Sequence, residues 1–422
     1  MKLKQDRIRF GAYTPMVIPS LAGVPMEDQI RDLAEGGIDY AVLWFDDFGK
    51  FDREKQLKVL DLFLKHGIEA VYFDDAITSR HDAFGKDHAM MFDKEKAAAA
   101  DYYRDHPAFV GHSFVDEPGT AHYDDLGKTV ADYQKIFPGK CPYINLLPMY
   151  ANPSQLTGGA WMEKIDVPGA SATTYQKYLD EYIEKVPTDY ICVDIYPCHT
   201  RNGLKTTYGG YVRNIEIVAD ACRRSNRAFW CCVQSCSWDP SVRVPDEADY
   251  RWQIYTMLSY GVTNLFDYVY ATRPNHKGAP LGPSGEKTPL WFYKRRVANE
   301  VKAISDEFVQ YKNLGAFAVN CTEDTPYLRM ENPYKNFDAI EKIECGSPLL
   351  VGCFEKKNGA GNAFTLVNMT DLAKPACADV RIKVKGTPVS HFGGIARREI
   401  AGEDGYYRFT LDAGDGVFVV VE

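Results

Sequence analysis

The sequence predicts an α/β chain, a (β/α)8 barrel followed by an all-β sandwich, and three observations predict it. The chain has 422 residues, too many for one ordinary core, whereas a barrel of roughly 250–300 residues plus an accessory domain fits. From about residue 10 to residue 310, short apolar runs of strand length alternate with longer amphipathic segments, the pattern of a parallel sheet wrapped by helices. Polar residues gather at the C-terminal end of those runs, the face on which barrels of this kind carry their active sites.

Eight strand candidates occur in order: Phe10–Pro15, Tyr40–Asp47, Ile68–Asp75, Phe109–Pro118, Pro142–Tyr150, Tyr190–Pro197, Ala228–Cys236 and Thr263–Thr272. The last four are the densest in aliphatic and aromatic residues. Between them, apolar spacings of three and four mark helices, as in Leu57, Leu60, Phe63 and Leu64 before Gly67, and in Ile254 and Leu258 before Gly261, each glycine being a stop signal. Right-handed crossovers put every strand's C-terminal end on one face. Pro289–Lys312 is the expected eighth helix. Beyond it, Leu349–Glu355, Ala363–Asn368, Val380–Val384, Tyr406–Leu411 and Val417–Val421 are short β-prone runs separated by turn signals such as Lys357-Asn358-Gly359 and Asp404-Gly405. The expected division is a barrel over 1–315 and a sandwich over 316–422, the sandwich supporting the barrel or a homo-oligomer interface.

Composition excludes several classes of function. A net charge of −9 with no basic arm argues against nucleic acid, which demands a basic footprint. No stretch approaches the ~18 apolar residues of a spanning helix, and Met1–Arg7 precedes no apolar run, so neither membrane anchor nor signal peptide is expected. Eleven cysteines, several inside apolar runs, suggest a reducing, cytoplasmic setting. Cys232 and Cys236 lack the partners of a four-ligand set, and no Gly-x-Gly-x-x-Gly or Gly-Lys-Ser/Thr context appears; no metal and no cofactor are expected.

The leading chemical candidate is Glu117, in Phe114-Val115-Asp116-Glu117-Pro118. It ends an apolar strand, and Pro118-Gly119 turns the chain where its carboxyl would overhang the barrel mouth; a solvated turn is the bland alternative. Asp116 could raise the pKa of Glu117 by like-charge repulsion or cap the following helix. Hydrolysis of a glycosidic bond uses one carboxylic acid to protonate the leaving oxygen and a second carboxylate across the sugar. Asp194 is the best second carboxylate, because alternation puts Cys192, Asp194 and Tyr196 on one face; an internal Asp satisfied by backbone amides or by Arg251 is the alternative. Strands four and six are about 10 Å apart at the rim, and converging side chains would narrow this toward the ~6.5–9.5 Å of inverting enzymes. Asp46, Asp74 and Asp267 occupy analogous strand ends, where they could hold sugar hydroxyls. Trp44, Tyr72, Tyr150, Tyr196, Trp238 and Tyr268 offer flat faces for sugar rings or ordinary barrel packing. His112 and His199, being isolated, are expected to be structural.

Phe109 to Pro118, with an acid before proline ending the fourth strand, resembles the acid/base strand of the clan A glycoside hydrolases, a large (β/α)8 superfamily that includes β-galactosidases and cellulases. Asn145-Leu146-Leu147-Pro148-Met149-Tyr150, Asp194-Ile195-Tyr196-Pro197, Trp230 to Gln234, and Trp252-Gln253 follow in the order found in similar bacterial glycosyl hydrolases with a C-terminal β-sandwich. The resemblance spans nearly the whole chain and implies a hydrolase acting on a small carbohydrate. One departure stands out: Gln234 falls where retaining members carry a nucleophilic Glu, and an amide forms no glycosyl-enzyme bond. Another carboxylate could serve, the substrate could supply its own nucleophile, or the barrel could bind sugar without cleaving it. The reading is therefore Glu117 as acid and Asp194 as base, with inversion; the alternative is a non-catalytic sugar-binding barrel. Asp116, Tyr150, Tyr196, Gln234, Trp238, Asp267 and Tyr268, with Trp44, Asp46 and Asp74, are the expected substrate contacts.

Overall fold

A computed structural model describes residues 6–16, 24–43, 52–74, 78–80, 90–158, 168–322, 325–359 and 361–422. Eight parallel strands form the barrel: β1 (Arg9–Tyr13), β2 (Tyr40–Leu43), β3 (Glu69–Tyr72), β4 (Phe109–Asp116), β5 (Cys141–Asn145), β6 (Tyr190–Asp194), β7 (Ala228–Gln234) and β8 (Val262–Tyr268). All eight expected runs are strands, and β1, β5 and β8 each begin one residue ahead of the expected run. Their order in the sheet is β5-β4-β3-β2-β1-β8-β7-β6. The seam between β5 and β6 is bridged by a parallel pairing of Leu146 with Val193, in which the Leu146 N–H donates to the Cys192 carbonyl at 2.8 Å.

Alternation along the strands divides two cores. Tyr40, Val42, Cys192, Trp230, Cys232 and Phe266 pack together inside the barrel, whereas Ala41, Leu43, Ile191, Val193, Cys231, Val233 and Leu265 belong to the layer shared with the helices. Inside, Tyr190 stacks on Trp230 with centroids 3.7 Å apart. Gly11 makes room for this filling, since a Cβ there would lie 2.5 Å from the Tyr40 ring. The surrounding helices are α1 (Met26–Glu35), α2 (Arg53–Lys65), α3 (Lys94–Ala99), α4 (Asp101–Arg104), α5 (Tyr123–Ile136), α6 (Pro153–Thr157), α7 (Ala172–Lys185), α8 (Tyr211–Ser225), α9 (Glu247–Ser259) and α10 (Pro289–Phe308). Asp52 caps α2 by accepting from the Lys55 N–H, and Asp246 and Asp249 form a reciprocal cap on α9.

The terminal strands are β9 (Tyr311–Val319), β10 (Ile340–Cys345), β11 (Leu349–Lys356), β12 (Asn362–Asn368), β13 (Ala378–Val384), β14 (Pro388–Phe392), β15 (Ile395–Arg398), β16 (Tyr407–Leu411) and β17 (Gly416–Val421). They build a six-stranded sheet, β9-β11-β12-β17-β14-β15, and a three-stranded sheet, β10-β13-β16. Val351, Cys353, Phe364, Leu366, Val380, Ile382, Leu411 and Val419 form their common core. The first of these strands begins at Tyr311, ahead of the expected boundary at 316.

The other face of the six-stranded sheet covers α9, which explains why α9 is buried along nearly its whole length. The Ser259 and Thr365 hydroxyls lie 2.7 Å apart, and Arg251 reaches both Glu300 of α10 and Asp415 before β17. On α8, the Glu216 carboxylate accepts the backbone N–H groups of Glu331 and Asn332. The sandwich is thereby fastened to the helical layer, on a side of the barrel wall that leaves the strand ends open.

Candidate active site

At the C-terminal ends of the strands lies a pocket of about 400 Å3. Tyr13 follows from β1, Asp116 and Glu117 from β4, Asn145 from β5, Asp194 from β6, Cys232 from β7 and Tyr268 from β8. The loops beyond add Tyr150, Gln155, Tyr196, His199, Tyr208 and Trp238.

Glu117 has φ 53°, a left-handed backbone made costlier by the following proline, and such strain is of order 1–3 kcal/mol. It is held there: the Glu117 N–H donates to the Asn145 carbonyl at 2.7 Å, and Gly119 packs so closely on Gly158 that a Cβ would fall 2.1 Å from its nitrogen. Asp116 accepts from Asn145 Nδ2 at 3.1 Å. Asp194 is only 6% exposed and its Oδ1 is buried without a hydrogen-bond partner. Burial, and then the negative charge of Asp116, pushes the Asp194 carboxyl up to about 7, while hydrogen bonding from the Asn145 and Tyr196 side chains pulls the other way. Burial and the charges of Asp116, Asp194 and Glu117 together hold the Tyr268 hydroxyl protonated.

Aromatic rings wall the pocket. Tyr196, Trp238 and Tyr268 contact one another at centroid distances of 4.8, 5.3 and 5.5 Å, and Tyr150 meets Tyr208 edge-on at 5.5 Å. Tyr150, Tyr196 and Trp238 thus share the pocket of Glu117. Trp44 and Asp46 lie outside the described residues.

Three expected contacts are not among the described residues that line this pocket. Asp267 sits between the inward Phe266 and Tyr268, so alternation turns it toward the helices; it accepts from the Tyr250 hydroxyl at 2.8 Å and pairs with the fully buried Lys294 of α10 at 3.2 Å. Gln234 ends β7 but does not line the pocket. Its amide oxygen accepts from the Cys198 N–H at 2.7 Å, and its Nε2 donates to the carbonyls of Cys198 and Arg243 at 3.1 and 2.8 Å, tying two loops together. Asp74 accepts from the Tyr103 hydroxyl at 3.5 Å and is likewise absent from the lining. Tyr72 packs edge-on against Tyr103 in the outer layer. His112 is structural: it is bonded to the Tyr103 and Tyr133 hydroxyls at 2.8 and 3.0 Å, and burial pushes it down to about 3.

Sequence reasoning gave Asn145 no role of its own, although it ends the fifth strand and meets Asp116, and the Cys192 and Cys232 thiols approach its Oδ1 at 3.6 and 3.9 Å. Tyr13 ends β1 and the strand-end rule could have found it. Tyr208, at the foot of a hairpin formed by Cys198–Arg201 and Leu204–Thr207, carried no such signal. Among the described residues no cluster of three or more His, Cys, Asp or Glu could hold a metal ion, and no helix is long and apolar enough to cross a membrane.

No protein-family model and no curated protein matches the chain. Solved structures do share its fold. A family GH42 β-galactosidase from G. stearothermophilus aligns over 99% of this chain and 98% of its own, with a TM-score of 0.57 at 9% identity. A family 5 glycoside hydrolase from Bacteroides vulgatus aligns over 98% and 89%, with a TM-score of 0.52 at 10% identity. A β-galactosidase from the psychrophilic Marinomonas ef1 aligns over 72% of this chain at a TM-score of 0.49 and 12% identity; the chain spans 62% of that enzyme's length. The first two likenesses extend through both layers of the architecture, so a (β/α)8 barrel followed by a β-sandwich is the fold of this chain.

Proposed function

We propose that the chain is a glycoside hydrolase acting on a small oligosaccharide or glycoside. The observation that carries the reading is the convergence of Asp116, Glu117 and Asp194 in one pocket walled by Tyr196, Trp238 and Tyr268: paired carboxyls beside flat apolar faces are what cleavage of a sugar acetal needs. Its volume falls within the ~300–1,000 Å3 of small-molecule sites. The similarity of the whole fold to two glycoside hydrolases supports the same reading. Glu117 is assigned as the acid that protonates the leaving oxygen and Asp194 as the base that activates water, giving inversion. β7 contributes Cys232, not a carboxylate, to the lining, which disfavours a double displacement from that strand. In this reading the barrel, residues 1–315 with its boundary near Tyr311, is catalytic and the sandwich supports it. All eleven cysteines are free thiols, which suits a cytoplasmic enzyme.

The test is turnover of aryl glycosides of both anomeric configurations, with Glu117→Gln and Asp194→Asn as controls. Loss of turnover of about 10²-fold or more in each variant, with sugar binding kept, is the expected result. Proton NMR of the first product should give the anomer opposite to that of the substrate. The competing reading, a sugar-binding barrel, is favoured by the engagement of Gln234 in loop contacts; binding of sugar without hydrolysis across the whole panel would establish it.

A further inference from the structure

Asn145 ends β5, between the strands that carry Asp116 and Asp194, and lines the same pocket. In the register of β4 with β5 it stands opposite Asp116, and β5 meets β6 through the Leu146–Val193 bridge. Its backbone carbonyl accepts the Glu117 N–H at 2.7 Å. Its side chain is engaged at both ends. Nδ2 donates to Asp116 Oδ1 at 3.1 Å, and Oδ1 accepts from the thiols of Cys192 on β6 and Cys232 on β7 at 3.6 and 3.9 Å.

Those partners leave the amide one orientation. An ionised carboxylate can only accept, so the NH2 end faces Asp116 and the thiol donors meet the oxygen. Turning the amide over would set oxygen against oxygen at the Asp116 contact. A primary amide has two N–H groups, and the Asp116 contact uses one. The Cys192 contact shows that the side chain reaches the inner face of β6, where Asp194 follows two residues later on the same side. Hydrogen bonding from Asn145 is also among the influences that oppose burial at Asp194.

We infer that Asn145 is a positioning residue of the active site, its one NH2 group tying the carboxyls of Asp116 and Asp194 to each other across β5. The catalytic purpose rests on the glycosidase reading; the tie itself rests on the contacts of the amide. A donor to a carboxylate favours the charged form, so the same group that fixes the spacing also keeps the base ionisable. Burial holds the phenols of Tyr150, Tyr175, Tyr196 and Tyr268 protonated around Asp194. It does the same for the thiols of Cys192 and Cys231, and the Cys192 contact followed by burial does so for Cys232. The titration that answers to Asn145 is therefore that of the carboxyls, with Asp116 the charged neighbour of Asp194.

The experiment follows the Asp194 carboxyl by 13C NMR between pH 4 and pH 9 in the full chain, wild type beside Asn145→Leu and Asn145→Ala, with turnover of aryl glycosides in parallel. Leu fills much of the space of Asn and donates nothing, which separates shape from hydrogen bonding. In both variants the Asp194 midpoint is expected to rise by about one pH unit. Turnover should fall about tenfold or more in kcat, with KM changed about threefold or less. A merely structural asparagine would give an unmoved midpoint in the Leu variant, and that result overturns the inference. Should neither variant fold, the wild type suffices: both Nδ2 protons of Asn145 should shift with the Asp194 titration, and protons that ignore it overturn the inference equally. A midpoint that moves as expected in a protein that hydrolyses no glycoside would sink the glycosidase reading alone, whereas turnover with an unmoved midpoint would sink this inference alone.

Discussion

Replacing Asp194 by Asn should stabilise the protein while inactivating it. An ordinary aspartate titrates at 3.8, whereas Asp194 in the folded chain is pushed up to about 7 by burial and by Asp116. Between those values the folded state holds a proton that the unfolded state has released. Stability therefore falls as pH rises through that window, and the full penalty is present above pH 7. A difference of about three units, at about 1.4 kcal/mol each, makes the ionised carboxyl cost about 4 kcal/mol at pH 8. Below pH 4 both states are protonated and the penalty vanishes. The neutral amide of Asn carries no such penalty and has an NH2 to offer toward Asp116. Urea unfolding at pH 8 should give the variant a higher midpoint at unchanged slope, with the gap closing toward pH 4. Equal or lower stability of the variant at pH 8 would refute the argument that this carboxyl is held against its solvation for the sake of chemistry.

Other consequences can be measured separately. With Asp194 as the base, kcat/KM should rise with pH through about 7, and Asp116→Asn should move that limb to lower pH by about one unit; a limb that falls through 7 would make Asp194 the acid. Lys294→Met leaves Asp267 buried beside one hydroxyl donor and should cost about 3–5 kcal/mol in chemical denaturation, much of it recovered by Asp267→Asn in the same chain. Gln234→Glu should lower the melting temperature without yielding a retaining enzyme, because a carboxylate there faces the carbonyls of Cys198 and Arg243 and loses the donor they now receive; product NMR showing retained configuration would contradict this.

What the sequence by itself determined is the conformation of local stretches. Alternation in Tyr190–Asp194 and Ala228–Gln234, and three-and-four spacing in Arg53–Lys65, are intrinsic to the chain and survive as β6, β7 and α2. The strand-end rule pointed to Asp116, Glu117, Asp194 and Tyr268, and the terminal strands recognised in advance were those with an apolar run, as in Leu349–Lys356, or a regular alternation, as in Ala378–Val384. β15, Ile-Ala-Arg-Arg, is exposed throughout, and in β10, Ile-Glu-Lys-Ile-Glu-Cys, the adjacent charges Glu341 and Lys342 break the two-residue alternation; neither has the apolar run or regular alternation on which that recognition depends. β9 was split between the expected helix and the expected boundary.

Only the tertiary structure decided which way each strand-end side chain faces and what it meets. Alternation fixes neighbours relative to each other, not relative to the barrel axis, so Asp267 and Tyr268 are equal candidates until β8 is seated between β1 and β7. Gln234 is drawn away from the pocket by backbone groups at 198 and 243. Asn145 matters because β5 lies beside β4 and its amide reaches Asp116. The proton on Asp194 is set by burial and by the approach of a carboxylate 78 positions earlier in the chain. Periodicity is a property of adjacent residues, whereas desolvation and Coulomb repulsion act through space, and only the closed barrel brings those charges within reach of one another.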